Sequence, residues 1–353
     1  MLAVALLLPV PVHAVGGSSS DNSIVTFDDS SYRTLKSRSV RAKKIKSIEL
    51  RTMIKEKSAG YSVVQGGCTD GKYAYFLMVS SYTQNGRVLK VNIKNNKVVK
   101  RSEILNIWHG NGMTYDSKRK KLVVIGRDHR KQEVTVIDAR TLQITRQEEV
   151  KYNNYTEAEK DSLTKVHQRQ GLAAIAYVRQ RDCYVALERK YYNLLFFDPD
   201  TFEAIGMAYT NIRNDYPGTY QAMDADEKYV YLLLSYFNEG GKVQPYNLML
   251  ALDWNSENLM PAVDPEGYEY PGYITEAWRC GNDGSGKPDA AIRIKSRYEV
   301  ENIYHTTDKK GREHFYMSAY HGRFAYKTTT VNGKRKRIRY YKRSGYVFDL
   351  GII

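Results

Sequence analysis

Apolar residues along this chain come in short runs of about four to eight, alternating or continuous, separated by Gly, Asn, Asp and Pro; this is a strand pattern rather than a helical one. Five runs stand out: Tyr73 to Val79, Leu122 to Gly126, Cys183 to Leu187, Tyr229 to Ser235 and His314 to Ala319. Each is preceded by a shorter segment of smaller residues: Gly66 to Thr69, Asn111 to Thr114, Ala173 to Ala176, Gln221 to Asp224 and Glu301 to Tyr304. Each is followed by a β-run that closes on an Asx residue, in turn Asn92, Asp138, Asp198, Asp253 and Asp349. An Asx side chain accepts hydrogen bonds from backbone amides just ahead of it and so closes a hairpin.

Small strand, apolar strand, third strand, Asx turn and outer strand is the order of a four-stranded propeller blade, and small residues suit the crowded axis of such a ring. The matched positions Cys68, Met113, Ile175, Met223 and Ile303 step by 45, 62, 48 and 80 residues. The pattern therefore predicts an all-β fold, a β-propeller of five blades. A β-sandwich or barrel competes, but neither predicts that fixed order of segments. The longest step contains Gly267 to Pro288, rich in Gly, Pro and Asp, which reads as an excursion rather than a sixth blade. Only Leu350 to Ile353 follow the last Asx turn, so an N-terminal strand must close the ring, and Ile48 to Ile54 is the segment expected to do so. Thr328 to Val331 leads into Asn332-Gly333, a two-residue turn signal, so a hairpin arm is expected in blade five. One helix is expected over Glu157 to Lys165, behind the capping box Thr156-x-x-Glu159.

Composition changes this picture in two places. Thirty tyrosines against nine phenylalanines suit strands with one buried and one wet face. Charge is concentrated: Arg33, Lys36, Arg38, Arg41, Lys43, Lys44 and Lys46 form one acid-free basic run, and Lys334, Arg335, Lys336, Arg337, Arg339, Lys342 and Arg343 form another. Taking those fourteen from 54 basic residues leaves 40 against 39 acidic ones, so the net charge of +15 comes almost wholly from two segments expected to flank the closing blade. Three cysteines, Cys68, Cys183 and Cys280, are too few for a disulfide framework and read as buried structural thiols. Met1 to Ala14, with an apolar core from Leu2 to Val12, reads as the remnant of a bacterial signal peptide. The expected organisation is thus residues 1–14 as signal remnant, 15–46 as linker and basic segment, and 47–353 as one propeller domain. No membrane span is expected after cleavage, and the mature protein is expected to be secreted or displayed at the cell surface as a monomer.

Candidate chemistry gathers where the chain enters the inner strands. There stand Gln65, His109, Asn111, Gln168, Gln170, Gln221, Glu299 and Glu301, with i and i+2 sharing a face. Such a polar ring suits a sugar or a peptide at the channel mouth, although amides also satisfy crowded backbone. Gln65, Asn111, Gln170, Gln221 and Glu299 are the ligand-binding candidates. Only the last blade supplies acids at that mouth, so the facing pair of carboxylates that glycoside hydrolysis requires is missing. His109 with Glu301 is the one catalytic pairing available, a base and its orienting partner, or a metal pair with His305. No CxxC, Cys/His metal spacing, GxSxG, P-loop or HExxH appears, and the residues single out no cofactor.

The segments Gln65 to Tyr75, His109 to Asp116 and Val134 to Thr141 resemble secreted Gram-positive propeller proteins and, more loosely, are similar to the helveticin J and teichoic-acid-biosynthesis-protein-C-like propellers. The resemblance spans about residues 61–325 and implies a five-bladed ring with a role at the cell envelope, without a known reaction. The function expected is binding of a glycan or anionic wall polymer at the channel mouth and at a basic closing-blade patch of Lys43, Lys44, Lys334, Arg335, Lys336, Arg337 and Arg339. Nucleic acid is not expected as a partner of an exported protein. The alternatives are a hydrolase or lyase using His109 and Glu301, and a purely structural adhesion module.

Overall fold

In the computed structural model, residues 35–53, 61–80, 85–126, 132–152, 171–189, 191–255, 274, 276–296, 298–331 and 333–353 are described. Five inner strands, Tyr61–Thr69, Met113–Asp116, Leu172–Val178, Thr219–Ala225 and Glu299–Thr307, stand around an axis, each packed on the next and the last on the first. Their small residues answer to crowding. A Cβ added at Gly66 would lie 2.9 Å from Met113 Cβ in the next blade, and one at Gly67 only 1.5 Å from Asn302 Nδ2 in the blade before it.

Outward from each inner strand runs an antiparallel sheet. Blade one continues with Tyr73–Ser80, Asn85–Asn92 and Lys97–Arg101, and blade two with Lys121–Ile125, Glu133–Asp138 and Ile144–Glu149. Blade three adds Cys183–Glu188, Leu194–Phe197 and Ala204–Tyr209. Blade four adds Tyr229–Ser235, Asn247–Asp253 and Ala290–Lys295; blade five adds the long strands Glu313–Val331 and Lys334–Ile352. All five expected Asx turns form, each side-chain oxygen accepting an N–H two residues on: Asn92 from Lys94 (2.9 Å), Asp138 from Arg140 (3.0 Å), Asp198 from Asp200 (2.8 Å), Asp253 from Asn255 (3.0 Å) and Asp349 from Gly351 (2.7 Å).

A second Asx turn, not foreseen, joins the first and second strands of four blades as Asp-x-Lys: Asp70, Asp116, Asp226 and Asp308 each accept the N–H of the lysine two residues on, at 2.8–2.9 Å.

The long step in the repeat is an excursion, as expected, and its course is now visible. After Asp253 the chain reaches back to blade three, where Glu276–Arg279 adds a parallel strand to Ala204–Tyr209, and then returns as Ala290–Lys295. Two indoles lock this detour between blades three and four: Trp254 and Trp278 are fully buried, and Trp278 Nε1 donates to the Trp254 carbonyl at 2.7 Å.

Ring closure does come from the N-terminus, but from other residues than expected. Lys43–Glu49, not Ile48 to Ile54, pairs antiparallel with Lys334–Ile352, and Leu50–Met53 is a helical turn. An outermost strand keeps one wet edge, where lysines are favoured; Ile48 near the end of this strand and Leu50 just beyond it tuck into the core with Val64 and Val347. Part of the expected linker is likewise structural, because Arg38–Arg41 runs parallel to Ala290–Lys295 as the outermost strand of blade four. The helix expected over 157–165 lies outside the described residues.

Candidate functional site

At the mouth where the inner strands begin, the polar residues pair across blades. Gln65 Nε2 of blade one donates to Glu301 Oε2 of blade five at 3.2 Å, both residues being buried. Gln221 Nε2 of blade four donates to Glu299 Oε1 of blade five, also at 3.2 Å. Asn111 Nδ2 donates to the Ala173 carbonyl at 2.9 Å, tying blade two to blade three. These bonds rivet neighbouring inner strands together, and they take up part of the polar capacity that the sequence offered to a ligand. Gln168 and Gln170 lie outside the described residues. His109 precedes its inner strand rather than entering it. It sits in a left-handed stretch, Trp108 (φ 45°), His109 (φ 74°) and Gly110 (φ 50°), where two consecutive non-glycine residues carry backbone strain.

The opposite mouth, where the inner strands end, holds a cavity of about 650 Å³ between the first turns of blades three, four and five. His305, near the end of the blade-five inner strand, binds Asp224 of blade four through Nδ1···Oδ2 at 2.7 Å. Burial pulls the imidazolium pKa down, but the Asp224 charge and hydrogen bond, with added charge from Asp226 and Glu313, outweigh it and raise the value from 6.5 to about 9. His305 is therefore a cation at neutral pH. Its ring lies against Phe315 and Tyr231, and the Tyr231 hydroxyl donates to Asp226 Oδ2 at 2.5 Å and reaches Glu313 at 3.4 Å. Sequence reasoning had not joined Asp224 to His305. The available signal was a charged residue interrupting two inner strands near the same end, followed in both blades by an Asp-x-Lys turn.

On the same side of the ring a charged network joins blades two and three. Arg119 Nη1 lies 2.7 Å from Asp182 and 3.2 Å from the fully buried Asp116. Lys118 also pairs with Asp182, while Tyr184 donates to Asp116 at 2.8 Å and Tyr177 to Asp182 at 2.7 Å. Cys68, Cys183 and Cys280 are buried free thiols, and burial pushes Cys183 up to about 12, which disfavours a reactive thiolate. Among the described residues no cluster of His, Cys, Asp or Glu is arranged to hold a metal ion.

The basic runs do not merge into the single patch expected. Lys43 and Lys44 pair with Asp349 and Phe348 at the base of blade five, with Lys44 Nζ over the Tyr346 ring at 3.3 Å. Lys334, Arg335, Lys336 and Arg337 lie near the tip of a two-stranded arm, exposed to solvent. Arg337 is more than ten residues along the same strand from Phe348, about 35 Å at the strand rise. The ladder with the inner strand stops at Glu299 opposite Tyr320; from His321 opposite Ser344 to Val331 opposite Lys334, the arm pairs, among the described residues, only with itself. Arg339 belongs to the same arm, opposite Tyr326. Residues 321–344 contain no Asp or Glu.

Five sheets joined in a closed ring, with polar mouths at both ends, define a five-bladed β-propeller. No protein-family model matches the sequence, and no curated protein matches it. Among solved structures, glutaminyl cyclase of Myxococcus xanthus is similar over 90% of this chain and 100% of its own, at 13% identity and a TM-score of 0.45. Hydrazine synthase of Kuenenia stuttgartiensis is similar over 75% of this chain and 57% of its own, at 11% identity and a TM-score of 0.37. Likeness at this level carries no functional argument, and the propeller stands on its own hydrogen-bonded ladders.

Proposed function

We propose that the protein is an exported binding propeller whose basic arm engages an anionic polymer, an acidic glycan or wall polymer outside the cell. The observation that carries this reading is the arm itself, a ribbon with no acidic residue whose outer part pairs with no other strand among the described residues. An isolated two-stranded ribbon is marginal in water, and like charges along it oppose its formation, so a polyanion lying on it would supply the missing stabilisation. Tyr326, half exposed, stacks with the Arg337 guanidinium at 4.3 Å and adds a flat face that suits a sugar ring. At the arm's base, Lys43 and Lys44 would extend the same attraction along a long polymer. The test is sedimentation with purified wall polymer and with a sulfated glycan. Changing Lys334, Arg335, Lys336, Arg337 and Arg339 together to Gln is expected to weaken binding at least tenfold and to flatten its salt dependence. Unchanged binding refutes the reading, and tighter binding to duplex DNA than to either polymer reassigns the partner.

A second reading, a hydrolase or lyase working through His109 and Glu301, draws support from the strained backbone at Trp108 and His109, since strain of this kind collects at functional sites. In that reading Gln65, Asn111, Gln170, Gln221 and Glu299 would line the substrate channel. Turnover of a wall glycan that survives His109→Ala removes it.

A further inference from the structure

The cavity at the far mouth differs from the riveted one in which of its polar groups are already satisfied. Two partly buried acids beside His305 are committed. Asp224 accepts from His305 and from the Ala225 N–H at 3.0 Å. Asp226 accepts the Lys228 and Tyr229 N–H groups at 2.8 and 2.6 Å and the Tyr231 hydroxyl at 2.5 Å. Lys228 lies 3.7 Å from the buried Asp253. Two donors on the wall are not committed. His305 Nε2 takes no partner among the described residues, and neither does the guanidinium of Arg179, an exposed residue of blade three that lines the same space. A wall that offers two open cationic donors beside the buried, unpartnered Gln180 Oε1 is complementary to a ligand that carries both a negative group and hydroxyls.

Size and rim extend the argument. About 650 Å³ is far more than a bare ion needs and lies within the range of small-molecule sites. Gln180, Glu227, Thr307 and Glu313 surround it with groups able to bind hydroxyls. We infer that this cavity is a binding site for a saccharide unit carrying a carboxylate or phosphate, its anionic group held by Arg179 and His305 and its hydroxyls by the rim. Asp224 is a positioning residue here: it orients the imidazole and keeps Nδ1 occupied, so that Nε2 presents its proton to the ligand. The site is independent of the arm. The arm leaves the ring at Glu299 and Tyr320, where the inner strands begin, and the cavity lies where they end.

Calorimetric titration at pH 7 with D-glucuronate, glucose 6-phosphate, glucose and inorganic phosphate tests this. One or both sugar anions are expected to bind at least tenfold more tightly than glucose and than phosphate alone; glucuronate alone identifies a carboxylate site, and glucose 6-phosphate alone a phosphate site. Arg179→Ala, at an exposed position where folding is not at risk, is expected to lower that affinity at least tenfold. His305→Gln, checked for native circular dichroism, is expected to do the same. Failure of both sugar anions to bind overturns the proposal, as does wild-type affinity in Arg179→Ala. Phosphate binding as tightly as the sugar anions overturns the saccharide assignment. None of these outcomes depends on the basic arm, which stays intact throughout.

Discussion

Replacing Asp224 by Asn removes the charge that keeps His305 protonated, and the consequence can be read as stability against pH. In the unfolded chain the imidazole titrates near 6.5; in the folded ring it titrates at about 9. A pKa raised by folding means that the native state holds its proton more tightly. The associated stability is therefore fully present below about pH 6.5 and disappears as pH climbs through about 9. At about 1.4 kcal/mol per pH unit, the interval is worth about 3 kcal/mol. The groups acting on the ring are the carboxylates of Asp224, Asp226 and Glu313, with the Lys228 ammonium and Tyr231 hydroxyl beside them. Once Asp224 is neutral, burial becomes the leading influence and favours neutral imidazole, so the pH slope is expected to shrink or reverse. Urea unfolding at half-unit steps from pH 6 to 9.5, on both proteins, measures the effect. The buried thiols Cys68, Cys183 and Cys280, all raised by burial, also cost stability above about pH 8.5. The shares of Cys183 and Cys280 cancel in the difference between the two proteins, which is expected to narrow by about 2–3 kcal/mol across the window; Cys68, whose thiol the Asp224 charge also raises, adds to the narrowing at its alkaline end. Parallel curves would show that Asp224 does not govern His305, and the argument for a charged imidazole in the cavity would fall.

Arg119→Met leaves the fully buried Asp116 without its guanidinium and is expected to cost about 3–5 kcal/mol in the same unfolding assay, against about 1–2 kcal/mol for Tyr184→Phe, which removes one hydrogen bond. Asp182 in that network is held below the usual carboxylate range: burial opposes this, but the hydrogen bonds from Arg119, Lys118 and Tyr177 outweigh it. Its contribution is present above about pH 4 and is lost as pH falls further, which acid unfolding of wild type and Asp182→Asn compares. Trp278→Ala should cost about 3–5 kcal/mol, seen in the midpoint of thermal unfolding, because it empties the seam between blades three and four. Gly67→Ala places a methyl group on Asn302 Nδ2 and is expected to destabilise by at least about 1–3 kcal/mol, whereas Gly71→Ala, with open space around it but φ +84°, should cost about 1 kcal/mol.

What was legible in the sequence follows the range of the interaction that encodes it. Each Asx turn is a contract between a side chain and an amide two residues away, so Asn92, Asp138, Asp198, Asp253 and Asp349 could be read one after another, and their order counted the blades. Closure by the N-terminus was legible from the short C-terminal remainder. Its register was not, because the lysines that begin the edge strand carry less hydrophobic signal than Ile48 near its end and Leu50 just beyond it, both of which pack in the core. The site was least legible. A polar side chain near an inner strand says only that some partner must satisfy it, and whether that partner is the next blade or a ligand depends on a distance set by residues far away in the chain. Gln65 and Glu301 are 236 residues apart and meet; His305 and Asp224 are 81 apart and meet with one imidazole nitrogen to spare. The spare nitrogen separates a rivet from a candidate binding group. In blades four and five the charged inner-strand residue, Asp224 or His305, is followed within a few positions by an Asp-x-Lys turn, and that juxtaposition marks the end of the channel where the pair stands.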